Sequence, residues 1–148
     1  MTTEEAAAEA LADDPPPGFR RYETRGAFTQ ANGPFYQRLG EGECWRGFRA
    51  RARHCNSFGI VHGGMMMAFA DGLLALAAHQ ATNAIPLTVR LTGDFVAAVR
   101  PGDWVEGHAR AIARDGDLVH VAGEVFVAGA PVLTLGGLFR PMAARKRG

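Results

Sequence analysis

The chain has 148 residues, 47% of them apolar, and a formal net charge of +1. That length fits one domain with a core of its own, and the near-neutral balance gives no electrostatic footprint for a nucleic-acid partner. Cys44 and Cys55 stand in neither a CxxC nor a Cys/His metal spacing, and no secretory signal or convincing membrane span is visible.

A cytoplasmic protein with reduced thiols is therefore expected. Taken in chain order, residues 1–14 are rich in Ala and acid, with Thr2 or Thr3 as an N-cap over Glu4 and Glu5. A short, marginal helix is predicted there. Pro15-Pro16-Pro17-Gly18 breaks it, and residues 1–22 read as a flexible tail ahead of the ordered chain. The turn signals Asn32-Gly33-Pro34 and Gly40-Glu41-Gly42 bracket a short segment holding Phe35, Tyr36 and Leu39. A strand is predicted over residues 43–53, although Trp45 and Phe48 do not alternate strictly. Its last part, Arg49-Ala50-Arg51-Ala52-Arg53, suits the solvent face of a strand.

A long apolar helix follows over residues 63–80, and the pattern then switches to period two. Over residues 87–97 the odd positions are mostly apolar, whereas the even ones include Thr88, Arg90, Thr92 and Asp94. Pro101-Gly102-Asp103 is a turn, residues 104–113 are a strand, and Arg114-Asp115-Gly116-Asp117 signals a hairpin. Strands over residues 118–128 and 131–140 complete the order: strand, long helix, four strands. That order predicts an α+β fold, an antiparallel sheet wrapped around one central helix. A basic run at 145–147 reads as a solvated tail.

Asp71 is the most informative residue. It is the sole polar side chain in the helical stretch from Met65 to Ala78, and its neighbours at helical spacing are apolar or small. A helix apolar on every side is normally buried, and an unpaired carboxylate there is costly. Such a residue is either hydrogen-bonded locally or does chemistry. The loop entering the helix, Asn56-Ser57-Phe58-Gly59-Ile60-Val61-His62-Gly63-Gly64, favours chemistry. Its glycines allow close backbone approach, and the first amides of a helix have no intrahelical acceptor. The Gly63 amide and the Asn56 side-chain amide could together hold a carbonyl oxygen and the oxyanion formed on attack. Asp71 lies eight residues beyond Gly63, about 12 Å along a helix at 1.5 Å per residue. Within one chain that is too far for both to act on one carbonyl. Either the two roles are unrelated, or a second subunit brings its own Asp71 alongside this loop, and a dimer with its active site at the interface resolves the distance.

The spacing Asn56-x-x-Gly59-x-x-His62-Gly63-Gly64, with Asp71 on the following apolar helix, resembles the hotdog-fold acyl-CoA thioesterases, closest to the PaaI-like (phenylacetate-pathway) branch. The Leu87-Thr88-Val89-Arg90-Leu91 strand, Phe95 and the Arg100-Pro101-Gly102-Asp103 turn extend the likeness over residues 33–142, within a hotdog domain expected at 23–142. Ala97-Ala98 stand where many relatives carry a Pro. The resemblance implies that Asn56 and Gly63 polarise the thioester carbonyl and that Asp71 of a neighbouring subunit is base or nucleophile. It also implies that Thr88 orients the water, and that His62 and Gly64 support the substrate-binding loop, with no metal or redox cofactor. The expected substrate is an acyl-CoA or aryl-CoA thioester, bound by a homodimer or homotetramer. Met65, Met66 and Met67 are candidates for the acyl pocket, and Arg90, Arg100 and Arg140 for the CoA phosphates. The alternative is a non-catalytic acyl-CoA-binding module of the same fold; a hotdog hydratase fits the Asn56 and Asp71 spacing less well.

Overall fold

The computed structural model describes residues 2–4 and 12–143. The N-terminal helix expected over residues 1–14 and the basic tail at 145–147 fall largely or wholly outside these residues. The elements in chain order are β1 (Arg20–Arg21), α1 (Ala27–Asn32), β2 (Tyr36–Gly40), β3 (Glu43–Arg49), a 3₁₀ turn (Ala52–His54), α2 (Gly63–Thr82), β4 (Ile85–Phe95), β5 (Trp104–Asp115), β6 (Leu118–Val127) and β7 (Ala130–Met142). All strand pairings are antiparallel, in one seven-stranded sheet ordered β1-β2-β3-β5-β6-β7-β4. This is the expected α+β hotdog arrangement, with α2 as the long helix in the wrap of the sheet.

The packing explains why α2 is so apolar. Met65, Met66, Phe69, Ala70, Leu73, Leu74, Ala77 and Ala78 are buried. Their repeat of two adjacent residues every four draws a single stripe along the helix. The stripe meets Phe48, Val105, Val121, Leu133 and Phe139 from the sheet in one continuous core. The complementary residues Met67, Ala68, Asp71, Gly72, Ala75 and Leu76 are only half-buried. Full burial of the helix, expected from its composition, is therefore not reached within a single chain, because one sheet covers only one side of a cylinder. The β5–β6 and β6–β7 hairpins turn at Gly116 (φ 61°) and Gly129 (φ 78°), left-handed positions that favour glycine.

Three features differ from expectation. α1 has no counterpart in the sequence pattern: it has six residues, no side-chain cap and no buried residue, so it carries no amphipathic signal. β3 ends at Arg49 rather than Arg53, because the chain tightens into the 3₁₀ turn. The arginines read as a solvent face instead bind backbone and carboxylate. Arg49 donates from Nε to the Asp13 carbonyl (2.7 Å), from Nη2 to Asp14 (2.9 Å) and from Nη1 to Gly102 (3.1 Å). Arg53 donates to the carbonyls of Ala31 and Gly33.

Packing also begins earlier than the Pro15-Pro16-Pro17-Gly18 run suggests. Asp13 is only 1% exposed. Its carboxylate accepts from Arg51 and, at 2.9 Å, from the Tyr36 hydroxyl. Burial, then the bond to Asp13, pushes the Tyr36 phenol well above its usual range, so it stays a donor at any ordinary pH. Phe19 is buried edge-on to Trp104, with ring centroids 5.3 Å apart. Replacing Asp13 by Ala removes the buried carboxylate to which a charged arginine and a buried hydroxyl both donate. It is expected to destabilise the fold by about 2 kcal/mol or more, against about 1 kcal/mol for Tyr36→Phe. Urea unfolding of both variants tests this, and an unchanged midpoint in Asp13→Ala would show that the clasp contributes nothing.

Candidate active site

The loop between the 3₁₀ turn and α2 satisfies most of its donors internally and leaves two open donors in one cleft. The Asn56 Oδ1 accepts from the amides of Phe58 (3.0 Å) and Ile60 (3.4 Å). Two N–H groups converging on one atom identify that atom as the oxygen. The Asn56 Nδ2 is thereby turned away from the loop, and it makes no hydrogen bond to the described residues. Gly59 takes φ 75° at the bend, where its amide donates to the Asn56 carbonyl at 3.0 Å. His62 is the N-cap of α2, and its Nδ1 accepts from the Gly64 amide at 2.8 Å. With Nδ1 as acceptor, the neutral ring carries its proton on Nε2. The Met66 amide donates to the His62 carbonyl at 3.1 Å. Gly64 and Met66 are thus satisfied, whereas the Gly63 amide has no acceptor among the described residues. Gly63 and Asn56 line one cleft of about 390 Å³, together with Met66, Phe95, Ala97 and Ala98.

Asp71 lies two turns further along α2 and faces the half-buried side. Its Oδ1 accepts from the Thr88 hydroxyl at 2.6 Å, a short bond of the charge-assisted kind. Strict alternation would put Thr88 on the face opposite Leu91. The strand does not alternate strictly: Thr88 pairs with Phe139 and Arg90 with Leu138, so Val89 is an extra residue in the ladder. That bulge returns Thr88 to the side of Leu91 and Gly93, towards α2. Gly93 leaves room for the helix, since a Cβ there would meet the Met67 sulfur at 2.8 Å.

Beside Asp71 the structure places a residue that the sequence reading missed. Arg46 is on β3 between Cys44 and Phe48, and all three are buried. The side chain is only 7% exposed. Its guanidinium lies between the Tyr22 ring (4.8 Å to the centroid) and the Phe35 ring (5.2 Å). It rests on Gly72: an added Cβ would come within 2.0 Å of Nη1. Burial draws the guanidinium below its usual range, and nearby Tyr22, Cys44 and Asp71 oppose that shift. The Cys44 thiol beside it is pushed up to about 11, chiefly by burial. Asp71, Arg46, Gly64, Met67, Ala68 and Leu91 line a second cleft of about 400 Å³, roofed by Phe28 and Phe35. Asn56 and Gly63 therefore share one cleft and Asp71 lines another.

The family model described as the thioesterase superfamily matches residues 58–133. A Pseudomonas aeruginosa protein, named provisionally as an esterase, is 34% identical over 98 residues, covering 64% of this chain and 73% of that one. The chain belongs to the thioesterase superfamily. The fold is shared with a crystal structure from Thermus thermophilus, at a TM-score of 0.72 and 26% identity, covering 80% of this chain and 100% of that one. It is shared too with a provisionally named thioesterase from Ralstonia eutropha, described as phenylacetic acid degradation-related. That protein is 25% identical with a TM-score of 0.69, and the match covers 80% of this chain and 92% of the other. The PaaI-like resemblance and a thioester-hydrolase activity are thus supported from outside the chain's own residues.

Within this superfamily member, the candidate site residues fall into two groups. Asn56, His62, Gly63 and Gly64 gather at the start of α2, and Asp71 and Thr88 meet two turns on. Met67 lines the Asp71 cleft, Met66 the Asn56 cleft, and Met65 is buried. Of the arginines offered for CoA phosphates, Arg140 faces Asp117 at 3.4 Å, and Arg90 and Arg100 are exposed. Removing the cap by His62→Ala frees the Gly64 amide. It is expected to lower stability by about 1 kcal/mol, read as a shift in urea midpoint; a larger effect on turnover than on folding would assign His62 a role in the chemistry as well.

Proposed function

We propose that the protein hydrolyses a small acyl- or aryl-CoA thioester at a site completed by two subunits. The observation that carries this reading is the separation of the two clefts. The donors suited to a carbonyl oxygen lie in one, and the carboxylate suited to attack lies in the other, about 12 Å along α2 at 1.5 Å per residue. A two-fold pair of chains brings one subunit's Asn56 and Gly63 to the other's Asp71. β4 offers the means. It is an edge strand, and its Ile85, Leu87 and Val89 are exposed large apolar side chains, as are Phe95 and Val96 at its far end. Such an edge is a template for pairing with a second strand.

The chemistry then follows from hydrogen-bond supply. The Gly63 amide and the Asn56 Nδ2 hold the thioester oxygen and the oxyanion that forms on it. Thr88 donates to Oδ1 of Asp71, leaving Oδ2 for water or for the carbonyl carbon. In the water route, Oδ2 takes a proton as the water oxygen bonds to carbon; the C–S bond then breaks, and the sulfur leaves with a proton as the free thiol. In the direct route, Oδ2 bonds to the carbonyl carbon and the C–S bond breaks, the thiolate leaving to take a proton from water; a second water then opens the anhydride, releasing the acid and restoring the Asp71 carboxylate. A neighbour of this fold from Streptococcus mutans, 17% identical, was solved with acetyl-CoA bound; the fold accommodates a CoA thioester in that protein. No helix among the described residues is long and apolar enough to cross a membrane. With Cys44 and Cys55 both free, we assign the protein to the cytoplasm.

Asp71→Asn is expected to lower kcat by about a hundredfold or more, and Thr88→Val by about tenfold. Release of thiol from acyl-CoA and aryl-CoA esters measures both. Mixing gives the sharper test of a shared site. Asp71→Asn and Asn56→Ala subunits, each nearly inactive alone, should regain about a quarter of wild-type activity after subunit exchange. Half the dimers are then mixed, and each mixed dimer keeps one intact site of two. No recovery, with exchange verified, would place the whole site within one chain.

A further inference from the structure

We propose that Arg46 is a recognition residue for a carboxylate at the far end of the acyl group, so that half-thioesters of dicarboxylic acids with CoA are the preferred substrates. This rests on the CoA-thioesterase reading above and names its substrate class. The first observation is a buried cation without a counter-acceptor. No hydrogen bond joins the guanidinium to any described residue, and its Nε is sealed from solvent with no partner. Its close neighbours are two ring faces and the backbone of Gly72. A guanidinium offers five donors in a planar fork that matches a carboxylate. The Asp71 carboxylate acts on it through space but makes no hydrogen bond to it, so its donors stay unpaired; that is costly, and a ligand oxygen anion would offset the cost.

The second observation is where the fork points. Arg46 borders two adjoining clefts: the one with Asp71, and one of about 310 Å³ with Tyr22, Gln37, Leu76, His79 and Pro86. Gly72, the residue after Asp71, belongs to both. A short acyl group with its carbonyl at Asp71 would lie in the Asp71 cleft and end at the guanidinium, which stands over Gly72. The walls of that cleft include Phe35, Met67 and Leu91, which suit methylene groups. The phosphates of CoA lie at the other end of the pantetheine arm from the thioester, too far from the residue next to Asp71 to be the anion in question. The third observation concerns Gln37, the cross-strand partner of Arg46. Its Oε1 is also sealed without a partner. A sealed donor and a sealed acceptor thus stand on cross-strand paired residues, and Oε1 is the acceptor that Nε lacks. A bond between them would steady the guanidinium with both Nη groups turned to the clefts, making Gln37 a positioning residue.

The test compares kcat/KM for succinyl-, glutaryl- and adipoyl-CoA with butyryl-, pentanoyl- and hexanoyl-CoA, in wild type, Arg46→Met and Gly72→Ala. Wild type is expected to favour at least one acid-terminated ester over its alkyl counterpart by about tenfold or more. Arg46→Met should reverse that ratio. Gly72→Ala keeps the charge but drives a Cβ into the space of Nη1, so it should reduce the ratio without altering Arg46 itself, and it decides the matter if Arg46→Met fails to fold. A wild-type ratio at or below one, or a ratio unchanged in a folded variant, overturns the proposal. Absence of hydrolysis with every CoA ester, aryl esters included, would instead remove the thioesterase reading on which it rests.

Discussion

A carboxylate on an apolar helix must be given partners, and the arrangement around Asp71 follows from how this chain supplies them. α2 is apolar throughout because one stripe is core and the opposite stripe is shaded by neighbouring elements. Asp71 sits on the shaded stripe. Its partner, Thr88, reaches it only because Val89 is an extra residue in β4 that returns the threonine to the helix side. Arg46 adds a buried positive charge on the other flank, and Gly72 makes room for it. Together they keep one polar spot in an otherwise apolar groove. Loss of the bulge would turn Thr88 outward and leave Asp71 to water alone.

The start of α2 obeys a complementary constraint on donors. A helix N-terminus exposes several amides with no internal acceptor, and a site needs one of them left open at the right place. Here His62 takes the Gly64 amide, and its own carbonyl takes that of Met66. Asn56 Oδ1 takes the amides of Phe58 and Ile60. Among the donors left open are the Gly63 amide and the Asn56 Nδ2, which faces away from the loop, two donors in one cleft beside an apolar wall of Phe95 and Met66. The histidine therefore shapes the site as a cap, with a ring nitrogen that must stay unprotonated to accept.

Much of this was legible in the sequence, and the parts that were not have specific causes. The central helix and the four later strands follow from a change of hydrophobic period from 3.6 to 2, and their hairpins from Gly116 and Gly129. The spacing from Asn56 to Gly64 and the lone Asp71 marked both halves of the site. Thr88 was harder, because a bulge has no compositional signature: read with strict alternation, it belongs to a polar row with Arg90, Thr92 and Asp94. Arg46 left a signal that went unused. It sits two residues from Cys44 and two from Phe48, so the inward register of β3 carries it inside, but the irregular placing of Trp45 and Phe48 hid that register. Asp13 left none. Its burial depends on Tyr36, Arg49 and Arg51 arriving from β2 and from around the end of β3, which no local pattern encodes.

The same physics underlies the proposed sharing of the site between two chains. A helix of this length presents its N-terminal amides and its mid-helix carboxylate to different places, and no loop in the described residues folds back to join them. Moving Asp71 one turn nearer Gly63 would shorten the gap, but it would also carry the carboxylate away from Thr88 and from the Gly72 notch that admits Arg46. The separation is thus fixed by the partners Asp71 needs. Two copies related by a two-fold axis, as proposed, would remove the conflict. The geometry that stabilises the carboxylate in each chain can then remain intact while the distance to the carbonyl-holding donors is closed from outside. The β4 edge and the half-buried stripe of α2 border the candidate site.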